Sequence, residues 1–460
     1  MEKSIKDTIA AIATAPGRGG VAIVRISGDQ AADILERLFF PQRHGDWQSH
    51  HLYYGEIRNP RNGEILDKCL AVLFRSPASF TGEDVVELQC HGGAMVPRLL
   101  LQAALDAGVR LAEPGEFSMR AFVNGAMDLS EAEAICDIVD SKTAAAASVA
   151  AVQIAGSLSC EIDKIETELL DIMAAITVAV DFPDDADAPE SELLIQRINA
   201  LKHGMVKLIN TASNGRIYRE GIRATLCGAV NVGKSSLLNA LLQNERAIVS
   251  AAPGTTRDII EECLNIEGVP VIISDTAGLR DALDEAETIG ISRSHAVAAA
   301  SQILMIVIDA RIGLDDQAKK LLAASADKKR LVVINKVDLS DDKNIIKTLL
   351  DKGVDARDII FASAVTAEGL PEILSALKNK ALAADVVPSD CFISNIRHQQ
   401  ALIKSNEFLH DAVTALSEGL PVDLAAIDLE NAWQELGSIS GKTASEEIIN
   451  TIFSKFCLGK

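Results

Sequence analysis

The 460-residue sequence has no excess of positive charge, no internal repeats and no low-complexity tracts. Its 65 acidic residues outnumber its 44 lysines and arginines, which leaves a formal net charge of −21. Proteins that coat nucleic acid without sequence preference are usually basic, so this balance argues against that class. Any RNA contact should therefore be local and sensitive to salt.

Long hydrophobic runs and paired cysteines are also missing. No apolar run reaches the roughly 18 residues that a membrane-spanning helix needs. The N-terminus, with Glu2 and Asp7, does not resemble a signal peptide. None of the eight cysteines forms a CxxC pair, which argues against a zinc site or a disulfide framework. We therefore expect reduced thiols in a soluble, cytoplasmic protein that has no membrane partner.

The apolar pattern changes along the chain and predicts four segments. Residues 1–122 alternate short apolar strands with turn signals, which predicts an α/β domain with strands at 21–26, 69–74 and 85–88. Residues 123–219 are predicted to be helical, with a second helix from about 192 to 211 after a loop at 182–190. The first helix has apolar side chains at steps of three and four. They are Leu158, Ile162, Ile165, Leu169 and Ile172.

Residues 220–377 alternate strands and helices, as a parallel sheet with crossover helices does. Helical spacing returns in residues 378–460. Two helical segments on either side of an α/β segment indicate one helical domain that is split by an insertion. The strands predicted in the insertion lie at 224–227, 269–274, 303–309, 331–335 and 359–362.

The sequence of residues 228–235, GAVNVGKS, fits the phosphate-binding pattern GxxxxGK(S/T) between a predicted strand and a predicted helix. Glycines let successive backbone N–H groups turn towards phosphate oxygens, and the N-terminus of the following helix also favours anions. We expect Lys234 to contact the β- and γ-phosphates as a catalytic residue and Ser235 to ligate Mg²⁺. The predicted nucleotide contacts in this loop are Asn231, Val232, Gly233, Lys234, Ser235 and Ser236.

Two further motifs occur in the order that a nucleotide switch requires. DTAG at residues 275–278 follows a predicted strand, where its carboxylate can hold Mg²⁺ through water and its glycine can sense the γ-phosphate. GTTRD at residues 254–258 is the predicted switch segment, and its Thr256 is the second predicted protein ligand of Mg²⁺. The predicted GTP contacts in the two motifs are Gly254, Thr255, Thr256, Asp275, Thr276, Ala277 and Gly278.

NKVD at residues 335–338 follows the next predicted strand and favours guanine over adenine. A carboxylate at Asp338 can accept hydrogen bonds from N1–H and the 2-amino group of guanine, and adenine has no such donor pair. Ser363 and Ala364 follow the last predicted strand, where the final base-contacting loop is expected. These motifs predict a GTP-hydrolysing domain of the Ras-like P-loop type. The predicted base contacts are Asn335, Lys336, Val337, Asp338, Ser363 and Ala364.

The residue after the DTAG motif departs from the Ras-like pattern. Ras-like enzymes carry a glutamine there that orients the attacking water. This chain has Leu279, whose side chain has no polar atom. The group that orients the water must therefore come from elsewhere.

Five short sequences spread over the chain carry a closer resemblance. PGTTRD at residues 253–258 and DTAGLR at 275–280 are typical of the hydrophobic-substituted GTPases related to translation factors. PGRGG at 16–20, SFTGED at 79–84 and FCLGK at 456–460 lie outside the GTPase motifs. Together they resemble the MnmE (TrmE) family of tRNA-modification GTPases. The resemblance covers essentially the whole chain and is much more specific than a phosphate-binding loop alone.

The resemblance implies a GTPase that is activated by K⁺ and by the pairing of two G domains. It implies that Asn231 coordinates K⁺ with Ser250, Ala252 and Thr255, and that Glu287 orients the attacking water as a catalytic residue. A cation at this place could neutralise charge as an arginine finger does. From the residues alone, Asn231 also suits a turn and Glu287 a solvated helix. The nucleotide-binding segment that the family implies includes Ser250, Ala251, Ala252 and Pro253.

The resemblance also implies that the N-terminal domain binds 5-formyl- or methylene-tetrahydrofolate as a one-carbon source. Glu87 matches the position that accepts hydrogen bonds from the pterin ring, and Arg25 and the terminal Lys460 match further contacts. Family members often carry a basic residue where this chain has Ala126, so that folate contact differs here. Without the resemblance, Arg25 and Glu87 would be ordinary charges on a strand surface.

The family implied by these sequences forms a homodimer and acts with a flavin-dependent MnmG-type (GidA-type) partner in a heterotetramer or larger assembly. Its substrate is the wobble uridine of certain tRNAs, which receives an aminomethyl or carboxymethylaminomethyl group at C5. FAD is expected on the partner, because this chain has no GxGxxG sequence. Cys457 matches a near-terminal cysteine whose thiolate could add to C6 of uracil, although a cysteine there also suits packing.

Two other functions fit the nucleotide motifs alone. A ribosome-assembly GTPase would need an attached RNA-binding module with a GxxG clamp or a basic patch, and the acidic helical flanks offer neither clearly. A regulatory GTPase whose flanking domains only bind proteins would have no affinity for folate. The resemblance favours the tRNA-modifying enzyme over both.

Overall fold

The chain divides into two units, each assembled from segments that are distant in the sequence. The computed structural model describes residues 7–43, 45–182, 190–245, 261–275, 301–340, 344–381, 391–457 and 459. The first unit contains Met1–Cys136, Ser159–Glu166 and Trp433–Lys460, and the second contains Asp137–Leu158 and Thr167–Ala432. The C-terminal segment therefore belongs to the same unit as the N-terminal domain.

The first unit contains a seven-stranded sheet that is antiparallel except at one edge. Its strands are β1 (Ile9–Ile12), β2 (Val21–Ser27), β3 (Phe39–Pro41), β4 (Leu52–Arg58), β5 (Ile65–Phe74), β6 (Val85–His91) and β7 (Arg110–Leu111). Their order across the sheet is β3-β4-β5-β6-β2-β1-β7. Among these described strands, β7 alone runs parallel to its neighbour.

Fourteen helices are found among the described residues. In chain order they are α1 (Ala31–Leu38), α2 (Val96–Asp106), α3 (Glu116–Val123), α4 (Leu129–Asp140), α5 (Ala144–Ile154), α6 (Ser157–Asp181), α7 (Ser191–Glu220), α8 (Lys234–Glu245), α9 (Asp316–Ala324), α10 (Asn344–Asp351), α11 (Leu370–Ala381), α12 (Ile396–Ser417), α13 (Val422–Ser440) and α14 (Glu446–Phe453). Long helices thus occupy the regions before and after the insertion, as the sequence predicts.

Side-chain alternation gives the first sheet two faces with different roles. Ala22, Val24 and Ile26 of β2 are buried in a core that they share with apolar residues of α1 and α2. Successive side chains of a strand point to opposite faces. Arg25 therefore lies on the other face, where Glu87 of β6 is its partner in the strand register. The sheet thus places these two charged residues side by side and away from the apolar core.

The C-terminal residues complete the first unit. Ile452, Phe453 and Phe456 share an apolar cluster with Leu129 at the start of α4. Gly115 permits this close packing, because a Cβ atom there would overlap the carbonyl oxygen of Phe453. The chain end is therefore held close to the N-terminal domain of this unit.

The second unit contains a six-stranded, largely parallel sheet. Its strands are β8 (Ile222–Cys227), β9 (Glu261–Ile266), β10 (Val269–Asp275), β11 (Ile303–Asp309), β12 (Lys329–Asn335) and β13 (Ile359–Ala362). They are ordered β13-β12-β11-β8-β10-β9, and the neighbours are parallel except for β9 and β10. The strand order reverses beside β8, and open α/β sheets bind ligands at such a point.

Helical segments that flank the insertion contribute to the core of this sheet. Val149 of α5, Tyr218 of α7 and Phe392 are buried in one cluster with side chains of β8, β10 and β11. The Thr143 hydroxyl, at the N-cap of α5, donates a 2.8 Å hydrogen bond to the carbonyl oxygen of Gly268 between β9 and β10. The sheet and these helical segments therefore share one apolar core.

The structure confirms the predicted fold class and shifts several boundaries. β11 and β13 have the predicted bounds, and the predicted apolar face between residues 158 and 172 is buried. α7 continues to Glu220, past the predicted end at 211, through Gly215, which lies against the carbonyl oxygen of Ile393. The loop predicted at 182–190 lies mainly outside the described residues.

Within the described part of the chain, no single helix is long and apolar enough to cross a membrane. The bent pair Ala144–Ile154 and Ser157–Asp181 meets the length and composition of a span only when both helices are counted together.

Candidate functional site

The phosphate-binding loop joins β8 to α8 and needs glycine at two positions. Gly228 and Gly233 have φ angles of +151° and +94°, which residues with a side chain rarely adopt. A Cβ atom on Gly228 would overlap the carbonyl oxygen of Val307, and one on Gly233 would overlap Nδ2 of Asn335. The loop can follow this course only because both positions lack a side chain.

Lys234, the first residue of α8, lies inside this loop. It is 8% exposed, and its Nζ donates to the carbonyl oxygens of Gly228 and Ala229 at 3.0 and 2.8 Å. The N-terminus of a helix already favours anions, so the buried ammonium group adds to a positive site that suits phosphates. Ser235 and Ser236, in the first turn of α8, are exposed at the same end of the helix.

Asn335 joins the phosphate-binding loop to the loop after β13. It is 1% exposed, and its Nδ2 donates to the carbonyl oxygen of Val232 at 2.9 Å. Its Oδ1 accepts a 3.4 Å hydrogen bond from the backbone N–H of Ala364. Three segments that the sequence places far apart therefore meet at one side-chain amide. Val232, at 3% exposure, also anchors the loop in the core of the sheet.

Lys336 makes a second link to the phosphate-binding loop from residues 335–338, which begin at the end of β12 and are called the base-binding loop below. Its Nζ donates to the carbonyl oxygen of Asn231 at 2.6 Å and to Oδ2 of Asp309 at 2.7 Å. Asn231 and Lys336 both have positive φ angles, +65° and +67°. The two loops are thus held together by a side chain from each of two consecutive residues, Asn335 and Lys336.

Asp309 is a site residue that the sequence analysis misses. It is 1% exposed, and hydrogen bonds from Arg311, followed by the bond from Lys336, hold the pKa of its carboxyl group well below the usual range. The carboxylate is therefore charged at neutral pH and fixes Lys336. One sequence signal was available, since Asp309 ends a fully apolar strand in the same way as Asp275 ends β10.

Asp338 is presented to solvent by a short turn, Val337–Leu339, directly after these linking residues. The hydroxyl of Ser363 donates to its Oδ1 at 2.6 Å. Ser363 is fully buried, and its oxygen accepts the backbone N–H groups of Val365 and Thr366 at 3.3 and 3.2 Å. Two N–H donors on that oxygen direct the hydroxyl hydrogen towards Asp338, so the carboxylate is oriented before any base arrives.

Several predicted site residues lie outside the described part of the chain. For Asp275 the structure describes the backbone at the end of β10. Among the described residues, no group of three or more His, Cys, Asp or Glu side chains could hold a metal. The predicted residues outside the description are Ser250, Ala251, Ala252, Pro253, Gly254, Thr255, Thr256, Thr276, Ala277, Gly278, Glu287 and Lys460.

A cleft of about 550 Å³ opens in the first unit and includes Glu87 and Ala126 in its wall. Glu87 is paired with Arg25, whose Nε donates to Oε1 at 3.0 Å. The Arg25 guanidinium also lies over the rings of Phe80 and Phe117, at 4.9 and 5.7 Å from their centroids. The lining residues are His50, Phe74, Pro77, Ala78, Ser79, Phe80, Val85, Glu87 and Ala126.

A buried ionic network holds the loop that forms one wall of this cleft. Arg120 is 1% exposed and donates to both carboxylate oxygens of Glu83 at 3.3 Å. Glu83 accepts a 2.7 Å hydrogen bond from the hydroxyl of Ser27, which also lies 2.7 Å from the hydroxyl of Thr81. Asn124 donates to the carbonyl oxygen of Thr81 at 2.8 Å. These bonds fix Thr81 and Glu83, the loop residues that directly follow Phe80 of the cleft wall.

Cys457, a predicted site residue near the C-terminus, lies in the same unit as the cleft. Cys457 is exposed, so packing does not account for it. Gly459 is buried with a φ angle of +93°, and a Cβ atom there would overlap the carbonyl oxygen of Ile12 in β1. Ile12 is next to Ala11, the register partner of Arg25. Gly459 therefore packs against β1, the strand next to β2.

Two family models match the sequence and together cover most of it. Residues 8–126 match "GTP-binding protein TrmE N-terminus", and residues 129–457 match "MnmE helical domain". The second match spans the P-loop insertion described above. The two matches meet between α3 and α4.

Curated relatives match over their full length. A tRNA modification GTPase MnmE of Desulforamulus reducens is 42% identical over 99% of this chain and 100% of the relative. The relative of the same name from Roseiflexus sp. is 41% identical over 99% of both chains. Among solved structures, the G domain of the FeoB iron transporter of T. maritima is 23% identical, with a TM-score of 0.28 over 35% of this chain and 99% of that chain.

Proposed function

Because the chain belongs to the MnmE family of tRNA modification GTPases, we propose a division of labour for this GTP-hydrolysing enzyme. Residues 220–377 bind and hydrolyse GTP, and residues 1–122 hold 5-formyl- or methylene-tetrahydrofolate and form the homodimer. Residues 123–219 and 378–460 form one helical domain. With a flavin-dependent partner, the enzyme places an aminomethyl or carboxymethylaminomethyl group on C5 of the wobble uridine in certain tRNAs.

The junction between the base-binding and phosphate-binding loops is the observation that supports GTP binding most directly. Ser363 orients the Asp338 carboxylate that we expect to bind the guanine edge, and Lys234 lies in the loop that we expect to bind the β- and γ-phosphates. Mg²⁺, held by Ser235 and Thr256, would neutralise phosphate charge during transfer. We assign Glu287 as the residue that orients the attacking water, since Leu279 cannot.

We propose that K⁺ completes the catalytic charge when two G domains pair, with Asn231, Ser250, Ala252 and Thr255 as its ligands. Replacing K⁺ by Na⁺ should then slow GTP hydrolysis by about 100-fold, the usual cost of removing one preorganised charge from a transition state. Asn231→Ala should remove the difference between the two cations. GTP affinity is the control and should not change with the cation. Equal hydrolysis rates in both salts would exclude the assigned K⁺ site.

The cleft supports folate binding by its composition. Pterins carry a ring N–H beside an amino group, and the Glu87 carboxylate at the cleft wall can accept both hydrogen bonds. Phe74 and Phe80 offer apolar surfaces to a flat ring. Arg25 holds Glu87 in place through their 2.9 Å ion pair. We propose Lys460 as a further contact and regard Ala126 as a wall residue without charge.

Glu87→Ala should weaken the binding of 5-formyltetrahydrofolate by roughly 100-fold, because two hydrogen bonds to a charged group are lost. In cells that lack the native gene, this variant should also fail to restore the modified wobble uridine. Glu56→Ala is a matched control, since Glu56 is likewise paired with an arginine on a strand but does not line the cleft. Calorimetry and tRNA nucleoside analysis measure the two effects. A normal wobble uridine in the deletion strain would defeat the proposed function.

The remaining chemistry is assigned to the partners. FAD belongs to the MnmG-type (GidA-type) flavoprotein, which forms a heterotetramer or larger assembly with this chain and tRNA in the cytoplasm. We propose Cys457, exposed beside the chain end, as a nucleophile towards C6 of the uracil. Its replacement by serine should stop modification and leave GTP hydrolysis unchanged.

A further inference from the structure

His50 is one of the two ionisable residues among the nine that line the N-terminal cleft, and the other is Glu87. The motifs of the sequence do not include His50, and neither the nucleotide site nor the folate assignment above uses it. In a cleft with a carboxylate at one place and an imidazole at another, the two side chains can form hydrogen bonds with two different groups of one ligand. The position and hydrogen bonding of His50 indicate which group it reads.

The His50 ring is held firmly in place. Its backbone N–H donates to the carbonyl oxygen of Leu73 at 2.9 Å, and its φ angle is +65°. Residues other than glycine rarely adopt that conformation, and it tends to persist where a side chain must be aimed. The ring meets Phe74 edge-on, with centroids 5.0 Å apart and planes at 86°. These contacts position the exposed imidazole at the cleft wall.

Hydrogen bonding at Nδ1 leaves Nε2 as the nitrogen available to a ligand. Nδ1 lies 2.8 Å from the hydroxyl oxygen of Ser49, which also accepts the backbone N–H of Arg75 at 3.0 Å. The Ser49 hydroxyl can donate its hydrogen to Nδ1, and the tautomer that matches this bond carries the ring hydrogen on Nε2. In this tautomer His50 offers a hydrogen-bond donor to a carbonyl or carboxylate oxygen.

The strand register places His50 well away from Glu87. Glu87 and Val85 are two residues apart on β6, and Phe74 is the partner of Val85 on β5. His50 lies beyond Phe74. With about 3.4 Å per residue along a strand and about 4.8 Å between strands, the two ionisable groups are roughly 10 Å apart. A ring bound at Glu87 cannot also fill the space beside His50, so the ligand must extend along Val85 and Phe74.

We propose that His50 is a second ligand-binding residue of the cleft, which donates from Nε2 to an oxygen of the benzoylglutamate portion of the folate. This inference rests on the proposed folate function and extends it. Glu87 binds the pterin, Phe74 and Phe80 line the cleft, and His50 binds the tail. The cleft thereby selects a pterin that carries an acylated tail over a free pterin.

The test compares His50→Asn with His51→Asn in the full chain. Asparagine tolerates a positive φ angle, so it removes the imidazole at residue 50 with little backbone strain. His51 is the matched control, because it is the adjacent histidine, is exposed as His50 is, and does not line the cleft. His50→Asn should weaken the binding of 5-formyltetrahydrofolate by about three- to tenfold, the loss expected for one hydrogen bond. His51→Asn should bind as the parent does.

A second probe locates the contact on the ligand. A tetrahydropterin without the benzoylglutamate tail, measured by competition, should bind the parent and His50→Asn equally. Weaker binding of this short probe to His50→Asn would refute the assignment to the tail. If the parent binds 5-formyltetrahydrofolate and both histidine variants do so equally well, the inference fails and the proposed function stands. If the parent does not bind 5-formyltetrahydrofolate, both are wrong.

Discussion

Asp338→Asn should lower the affinity for GTP by roughly 100- to 1000-fold, because it weakens two hydrogen bonds to a charged acceptor. The carboxylate accepts from both N1–H and the 2-amino group of guanine, and an amide can accept only one of these hydrogens. The amide nitrogen instead faces the 2-amino group, donor to donor. The same change should admit xanthosine triphosphate, whose oxygen at C2 accepts from the new amide.

Titration of the variant with GTP and with xanthosine triphosphate measures the loss of affinity for the first and the gain of affinity for the second. Ser363 keeps its role, since its hydroxyl can donate to the amide oxygen as it does to Oδ1 of Asp338. Asp316→Asn is the matched control, because Asp316 is an exposed carboxylate at the start of α9 that is paired with Lys319. It should leave GTP affinity unchanged. If Asp338→Asn retains tight GTP binding, Asp338 does not bind the guanine base.

Gly233→Ala should reduce GTP affinity by about 100-fold or more. The position has a φ angle of +94°, and the new Cβ atom would overlap Nδ2 of Asn335. The backbone strain costs about 1–2 kcal/mol, and loss of the buried bond from Asn335 to Val232 costs about 1–3 kcal/mol more. Both costs act on the junction that shapes the phosphate-binding loop.

Gly313→Ala separates these two costs. Gly313 also has a positive φ angle, +73°, but no atom lies within 4 Å of a Cβ atom built on it. This variant should lower the melting temperature by a few degrees through strain alone and bind GTP normally. If both variants bind GTP equally well, the contact with Asn335 does not control the loop.

The sequence predicts five of the six strands of the inserted sheet and misses the edge strand β9. The central strands are predicted well because they are buried on both faces. β11 consists entirely of buried residues, and its continuous apolar run covers the whole strand except the terminal Asp309. The first sheet is harder to predict. β1 has the sequence IAAI, and alanine has little preference for strands. β7 has only two residues and is held by its pairing with β1. Such short strands depend on tertiary contacts that no local pattern records.

The same distinction applies to the candidate site. Glycines and charged residues in the nucleotide motifs are local in sequence, so Lys234 and Asp338 can be identified from spacing alone. Asp309 and His50 belong to no motif. Asp309 is drawn into the site by Lys336, a residue 27 positions later, and His50 lines the cleft beside Phe74 of the neighbouring strand β5. Their roles arise from contacts between segments, which become visible only when the chain is folded.

The apolar cluster that contains Val149, Tyr218 and Phe392 has a consequence for dissection of the molecule. A fragment of residues 220–377 would lack all three side chains. Apolar residues of the inserted sheet that these side chains cover would then be exposed to water. The isolated fragment would therefore be less stable to heat than the same sheet in the intact chain, and more prone to self-association. The GTPase module is therefore an insertion in the sequence, but its stability also depends on the helices on either side of it.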